Sequence, residues 1–391
     1  MDTAFLKKHE DKRIRKGHLW IFSNEIFRIE GLPQNGSLIK IHDADNRFLG
    51  TGFYNKNSLI AIRFISNSEI EDLKDLFYKR ILDAYNLRKK IYPSRESFRM
   101  VFAESDFLPG LIIDKYNDSF VLQINSFGMQ NNIHLIIEIL ESHFKAKNIF
   151  SLNDFYLRKL EGLPEDNQVY LGQLGTEIID DGSAMYKVDF SKSQKTGFYF
   201  DQSDNRFFIE RLVFDKTVAD VFCNSGGFGL HAIKANAKSV DFIDSSEREI
   251  ENVKLNCSLN SIVGKTNFYV DDAFDFMEKS YVAQKKYDVV MIDPPAFAKN
   301  KKSLITAKKG YEKLNRLALS IINEGGFLVS SSCSHHIKKE DFLETISQAA
   351  MKTGKSLQLI HFSGASLDHP KLLAMDETEY LKFTVFKVNN C

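Results

Sequence analysis

The sequence predicts an α/β chain: a mostly parallel, doubly wound sheet in its C-terminal half, preceded by a small all-β unit and an α+β middle. Three patterns carry that expectation. After about residue 190, short apolar strands alternate with helical segments: VADVFC, SVDFID, TNFYVDDA, YDVVMID and GGFLVSSSC. Such alternation builds a parallel sheet with helices on both faces. The last two strands, LQLIHF and YLKFTVFKV, have no helical segment between them, so the final strand is expected to run antiparallel. Ahead of this half, strand-like runs are broken every few residues by turn formers.

In chain order, LWIFSNEIF, SLIKIHD, FLGTGFYN and LIAIRFIS are strands punctuated by Gly31, Asn35-Gly36 and Asp45-Asn46, a pattern that fits a small barrel. EIEDLKDLFYKRILDAYNLRKKIYP then carries apolar residues at helical spacing and stops at Pro93. The runs FRMVFAES, LPGLIIDKY and SFVLQINS are strands, and a second helix is expected over 131–146. The shifts in pattern divide the chain into 1–70, 71–185 and 186–391.

Composition limits the function. At 391 residues the chain is long enough for two or three cored domains. Lysine plus arginine (52) balance aspartate plus glutamate (52), so a polyanion partner has to be held by a local patch. Cys223, Cys257, Cys333 and Cys391 lie far apart without a C-x-x-C pair, which argues against a zinc site or a disulfide framework and fits a reducing cytoplasm. There is no signal-peptide core, and no apolar run approaches the ~20 residues that span a bilayer. Neither a metal nor a membrane is expected. The oligomeric state stays open, a homodimer included.

In an open parallel sheet, ligands bind beyond the carboxyl ends of the strands. The first strand there carries Asp220 and runs into Asn224-Ser-Gly226-Gly227-Phe-Gly229, where paired glycines serve either a tight turn or close approach to a ligand. The second ends at Asp244, placed to accept from ribose hydroxyls. Because CNSGGFG lacks the first glycine of a pyrophosphate-binding loop, a ribose ligand without phosphate fits better than a dinucleotide. Asp272, after the third strand, either accepts from an adenine amino group or caps a helix.

The fourth strand ends in Asp293-Pro294-Pro295-Ala296-Phe297, a rigid turn that holds a carboxylate at the ligand edge or merely closes a strand. Lys299, Lys301 and Lys302 follow, suited to phosphate contacts or to a solvated loop. The fifth strand delivers Cys333 beside this turn, a position that favours a nucleophile over a buried hydrophobe. His335 or His336 either lowers its pKa or begins the next helix.

Together these motifs resemble the bacterial class I S-adenosylmethionine-dependent rRNA methyltransferases with an N-terminal PUA domain, whose best-known member forms 5-methylcytosine in large-subunit rRNA. HLWIFSNEI, FLGTGFYN and SLIAIRFIS are similar to the PUA barrel, and FAESDFLPGLIIDKY to the central domain. QKTGFYFDQSDNR, VFCNSGGFGLHA, DPPAF, SSSCS and EYLK follow in the family's order within a Rossmann-like catalytic domain. The resemblance implies cofactor contacts from Lys195, Thr196, Gly197, Gln202, Arg206, Asp220, Gly226, Asp244, Asp272 and Asp293. Ser203 replaces an arginine usual in the entry segment, and Ala296 stands where other RNA 5-methylcytosine enzymes carry a second cysteine.

It further implies methylation of cytosine carbon 5 in 23S rRNA, with Cys333 as nucleophile and Asp293 at the pyrimidine edge. Phe297 either stacks on the base or packs under the turn. Two alternatives are methylation of an exocyclic amine, which needs no nucleophile, and a non-catalytic RNA-binding assembly factor.

Overall fold

The computed structural model describes residues 2–192, 195–298 and 303–390. The chain divides into two units, and neither is one continuous stretch. The first comprises Met1–Ile179, Val188–Phe200 and Leu367–Thr378; the second comprises Asp180–Lys187, Asp201–Ser366 and Glu379–Cys391.

The first unit opens with a six-stranded sheet whose spatial order is Trp20–Ile21, Ile62–Ser66, Phe48–Tyr54, Leu38–His42, Thr3–Leu6 and Ile26–Glu30. Thr3–Leu6 was not foreseen. Four residues are too short to show alternation, and the strand is defined by its parallel pairing with Leu38–His42. The run expected as one strand, LWIFSNEIF, is split. Glu25 Oε2 accepts from Phe22 N at 2.7 Å and folds Ser23–Glu25 into a 3-10 turn between two strands. Ala4, Leu6, Ile21, Ile39, Ile41 and Ile62 fill the core of this sheet.

A five-stranded sheet follows, with spatial order Val169–Leu171, Asn148–Ser151, Ser119–Ile124, Leu111–Tyr116 and Ser97–Phe102. The helix Leu73–Ile91 lies beside it, capped by the Asp72 carboxylate on Lys74 N and Asp75 N and ended ahead of Pro93. The expected second helix is two, Phe127–Asn131 and Ile133–Phe144, broken at Asn132. The late segment Leu367–Thr378 is bound into this unit by buried polar bonds: Arg99 N donates to Asp368 Oδ2 (3.0 Å), and Arg88 Nη2 to Asp368 O (2.8 Å).

The second unit is built on seven strands: β1 (Thr217–Val221), β2 (Ser239–Asp244), β3 (Thr266–Val270), β4 (Tyr287–Ile292), β5 (Ile322–Ser332), β6 (Lys355–Ser363) and β7 (Lys382–Asn390). Their order is β3-β2-β1-β4-β5-β7-β6. The first five run parallel, while β7 is antiparallel to both β5 and β6. This is the doubly wound sheet with an antiparallel last strand that the sequence pattern predicts. Helices α1 (Gly227–Lys234), α2 (Glu247–Leu259), α3 (Ala273–Val282), α4 (Leu304–Ser320) and α5 (Lys339–Thr353) connect the strands. Val221, Ile243, Val290, Ile292, Leu314 and Leu328 lie in its core. No helix among the described residues is long and apolar enough to cross a membrane.

Helix α1 is anchored by a buried charge cluster. His231 is 0% exposed, with Nε2 at 2.8 Å from Asp181 Oδ2 and Nδ1 at 2.7 Å from Glu210 Oε1. Burial alone lowers an imidazole pKa, but the hydrogen bonds to Asp181 and Glu210 outweigh it and raise this one. Burial likewise opposes ionisation of Asp181, yet His231 brings its carboxyl down to about 2. Because the folded pKa of His231 is raised, its stabilisation is complete below the ordinary histidine value of about 6.5 and is lost as pH rises through the folded value. His231→Ala should therefore cost about 3 kcal/mol at mildly acidic pH. In urea titrations across pH, the gap to wild type should narrow toward alkaline conditions; a gap independent of pH would show that the imidazole is not charged.

Candidate functional site

The parallel strands bring their C-terminal ends to one edge of the second unit, and the acidic residues singled out in the sequence are on three neighbouring strands there. Asp220 is buried near the end of β1, with Oδ2 accepting from Gly229 N at 2.8 Å. Asp244 closes β2; its two oxygens accept from Asn224 N (3.0 Å) and Ser246 N (2.9 Å). Asp293 follows β4, where its own N donates to Val221 O of β1 at 3.4 Å. The carboxylates of Asp220 and Asp244 are aimed by backbone amides.

Gln202 and Arg206 enter from the short helical segment ahead of β1. Gln202 Nε2 donates to Asp293 Oδ1 (3.0 Å) and to Ser331 Oγ (3.3 Å), while its Oε1 accepts from Asn205 Nδ2 at 2.7 Å. Arg206 is buried, and its charge offsets those of Asp220 and Asp293. The two glycines divide their duties. Gly226 takes φ +83°, the left-handed turn into α1, and a Cβ on Gly227 would come 2.5 Å from Arg206 Nε. The second glycine therefore makes room for the arginine.

Like charges in a desolvated edge repel. Burial, then the charge of Asp201, raises the Asp293 carboxyl to about 6 against the opposing pull of Arg206 and Gln202. Burial also takes Asp220 up to about 7, opposed by the Gly229 amide and reinforced by Asp293. The cluster is acceptor-rich with one buried arginine, a donor set suited to a cationic, ribose-bearing ligand and unsuited to a pyrophosphate.

Cys333 leaves the end of β5, half-buried, with Sγ 3.9 Å from Pro294 O of the Asp293 turn. Behind it, Ser332 Oγ donates to Tyr311 OH at 3.0 Å, and that hydroxyl lies 3.1 Å from Ser334 Oγ. Thus the thiol candidate meets the backbone of the turn that follows Asp293, across the β4–β5 pair.

Other expected residues are placed differently. Asp272 caps α3, with Oδ1 accepting from Phe274 N and Asp275 N, the capping alternative. Phe297 packs on Tyr311, ring centroids 4.6 Å apart, the packing alternative. Lys195, Thr196 and Gly197 belong to the other unit, where Tyr116 OH donates to Thr196 O at 2.9 Å and Gly197 adopts φ +116°. Lys299, Lys301 and Lys302 lie outside the described residues.

Sequence reasoning missed Asp201, Ser331, Tyr380 and Lys382. Tyr380 OH donates to Asp201 Oδ2 at 2.6 Å. The strings FDQSDNR, SSSCS and EYLK contain these residues, but they meet only in the folded chain: the β5–β7 pairing sets Lys382 beside the Ser331 strand, and Asp201 joins through its bond to Tyr380.

Comparison with known proteins agrees with this layout. Residues 5–67 match the model of a PUA-like domain, and residues 170–387 match that of an S-adenosylmethionine-dependent methyltransferase. Two curated relatives named ribosomal RNA large subunit methyltransferase I match almost end to end. The one from Tolumonas auensis is 34% identical over 392 residues, covering 98% of this chain and 99% of its own. The one from Vibrio cholerae is 35% identical, covering 99% of each. Among solved structures, a protein described as a methyltransferase complexed with SAH superposes with a TM-score of 0.86 at 20% identity, covering 99% of this chain and all of its own. A SAM-dependent methyltransferase from Streptococcus mutans gives 0.84 at 18%, with the same coverage. At these identities the structures speak for the fold.

A cation binds best when Asp220 and Asp293 are ionised. Affinity for S-adenosylmethionine, measured by titration calorimetry, should therefore rise roughly ten-fold between about pH 5.5 and 8. Asp293→Asn should flatten that profile, and a wild-type affinity independent of pH would remove the carboxylates from cofactor binding.

Proposed function

The chain belongs to the S-adenosylmethionine-dependent methyltransferase family, in the group whose curated members are named ribosomal RNA large subunit methyltransferase I, and on that premise we propose that it methylates carbon 5 of a cytosine in 23S rRNA through a covalent adduct with Cys333. The observation that carries the chemistry is the meeting of Cys333 Sγ with the Asp293-Pro294 turn. Carbon 5 of cytosine is a poor nucleophile. Addition of the Cys333 thiolate to carbon 6 makes carbon 5 enamine-like and able to accept an electrophilic methyl group. When bound, S-adenosylmethionine supplies that methyl group from its sulfonium.

The chain's own residues then divide the labour. Asp244, set by two backbone amides, accepts from the ribose hydroxyls, while Asp220 and Asp293 receive the cationic part of the cofactor, with Arg206 and Gln202 holding the edge together. Asp293 also faces the pyrimidine N3 edge and favours the charge developing there. Loss of the carbon 5 proton and elimination of the thiolate restore Cys333. A second cysteine is absent from the turn, where Ala296 stands, so release depends on other groups near Cys333. The target base has to leave its stack or lie in a loop to meet the thiol.

We assign RNA delivery to the N-terminal region, 1–70, and to the Lys299, Lys301 and Lys302 run, and the chemistry to 186–391. A substrate of this kind places the enzyme in the bacterial cytoplasm.

The decisive assay is methyl transfer from labelled S-adenosylmethionine to undermethylated large-subunit rRNA, followed by digestion to nucleosides. Labelled 5-methylcytosine should appear with wild type and fall at least about 1,000-fold in Cys333→Ala, with cofactor affinity nearly unchanged. A methylated amine insensitive to that substitution would overturn the covalent route. Replacing Lys299, Lys301 and Lys302 by glutamine should weaken RNA binding and reduce its salt dependence by about three counterions; an unchanged slope would make the run a solvated loop.

A further inference from the structure

A buried lysine stands beside the proposed nucleophile. Lys382 on β7 is directly across from Ser332 on β5, one residue ahead of Cys333. Its side chain is 5% exposed, and Nζ donates to Ser334 O and Tyr380 O, each at 2.7 Å. Ser334 is the residue after Cys333, so the ammonium is fastened to the backbone on the far side of the cysteine. Among the described residues Lys382 makes no ion pair with a carboxylate, and one of its three N–H donors has no partner.

An ammonium solvated only by two carbonyl dipoles is costly to bury. Burial accordingly lowers the Lys382 pKa to about 8, against the raising effect of the charges on Cys333 and Glu379. A buried amine bears its charge at lower cost when an anion forms beside it. Passing one proton from Sγ to Nζ creates the thiolate and the ammonium with no change in net charge. Tyr311 is the competing partner from α4, but burial raises its pKa and its hydroxyl is engaged by Ser332 and Ser334. Other titratable groups on the neighbouring elements include Asp293 after β4, His335 and His336 after β5, His361 on β6, and Glu379 and Tyr380 ahead of β7. Asp293 and Glu379 are acidic and oppose a thiolate. The Cys333 charge raises the Lys382 pKa, so the two groups are electrostatically coupled.

We propose that Lys382 is a positioning residue whose ammonium holds Cys333 as a thiolate for attack on carbon 6 and faces the same thiolate again when the adduct breaks. The inference rests on Cys333 being the nucleophile, and it supplies a local aid to release where the turn carries Ala296 instead of a second cysteine. It also explains why a cation is buried on β7 without a carboxylate.

The test reads the thiol directly, in the full-length enzyme without RNA. Alkylation of Cys333 by iodoacetamide is followed by peptide mass spectrometry from about pH 5.5 to 9.5, across the free thiol value of about 8.5. Wild type should titrate at least about one unit below that free value. Lys382→Met should move the midpoint up by about one unit or more and slow alkylation at neutral pH roughly ten-fold, while Lys382→Arg should recover most of the difference. Cofactor affinity, unchanged in both, reports that the fold is intact. If Lys382→Met does not fold, the wild-type midpoint still decides, since a value at or above 8.5 overturns the proposal. Coincident profiles for wild type and Lys382→Met overturn it as well. Failure of the covalent route is a separate outcome: Cys333→Ala would then still form 5-methylcytosine while the alkylation profiles kept their order.

Discussion

Carboxylates forced together out of water are the constraint around which the catalytic unit is built. Asp220 and Asp293 stand on adjacent strands, each taken well above the ordinary aspartate range by burial and by neighbouring charge. Folded carboxyls with raised pKa values bind protons that the unfolded chain releases, so they oppose folding as pH rises through that window. The protein tolerates this because Arg206 is buried against them, and Arg206 fits only because residue 227 has no side chain. Gln202 is in turn held by Asn205 and spans Asp293 and Ser331. In the proposed binding mode a cationic cofactor relieves the remaining repulsion, which would convert unfavourable folding energy into binding selectivity.

The parallel topology makes such a cluster inevitable once acidic residues close the strands. Right-handed crossovers return each strand in the same direction, so β1, β2, β4 and β5 all deliver their last residues to one edge. The thiol side of the site is built differently. Cys333 comes from a parallel strand, but its supports, Lys382 and Tyr380, come from the antiparallel β7, which enters between β5 and β6. The edge therefore has an anionic side and, across the Asp293-Pro294 turn, a thiol whose following residue is held by the Lys382 ammonium.

Two residues for which the sequence also allowed a chemical role serve the scaffold. Asp272 spends its Oδ1 on two amides of α3, and Phe297 lies on Tyr311. Both follow from local economy: a helix start needs an acceptor, and an aromatic under a double-proline turn finds a partner in the helix below. Conversely, Lys382, Asp201, Ser331 and Tyr380 sit in strings with ordinary strand or loop composition. Nothing about an isolated lysine in YLKFTVFKV distinguishes it from a solvated edge residue until the β5–β7 register puts it against Ser332.

The order of strands and helices in the second unit, its antiparallel last strand and the placement of Asp220, Asp244, Asp293 and Cys333 at strand ends were legible in the sequence. Apolar periodicity and residues at strand ends are local properties, and a parallel sheet maps strand ends onto one edge. What only the tertiary structure decided is which distant residues share a site: Arg206 with Gly227, Gln202 with Asp293, Lys382 with Cys333. The same holds for the segment Leu367–Thr378, which continues past the sixth strand in sequence yet is bound to Arg88 and Arg99 of the first unit. The physical reason is that strand order and long-range hydrogen bonding are chosen by the packing of the whole chain, which the pattern within any one segment does not encode.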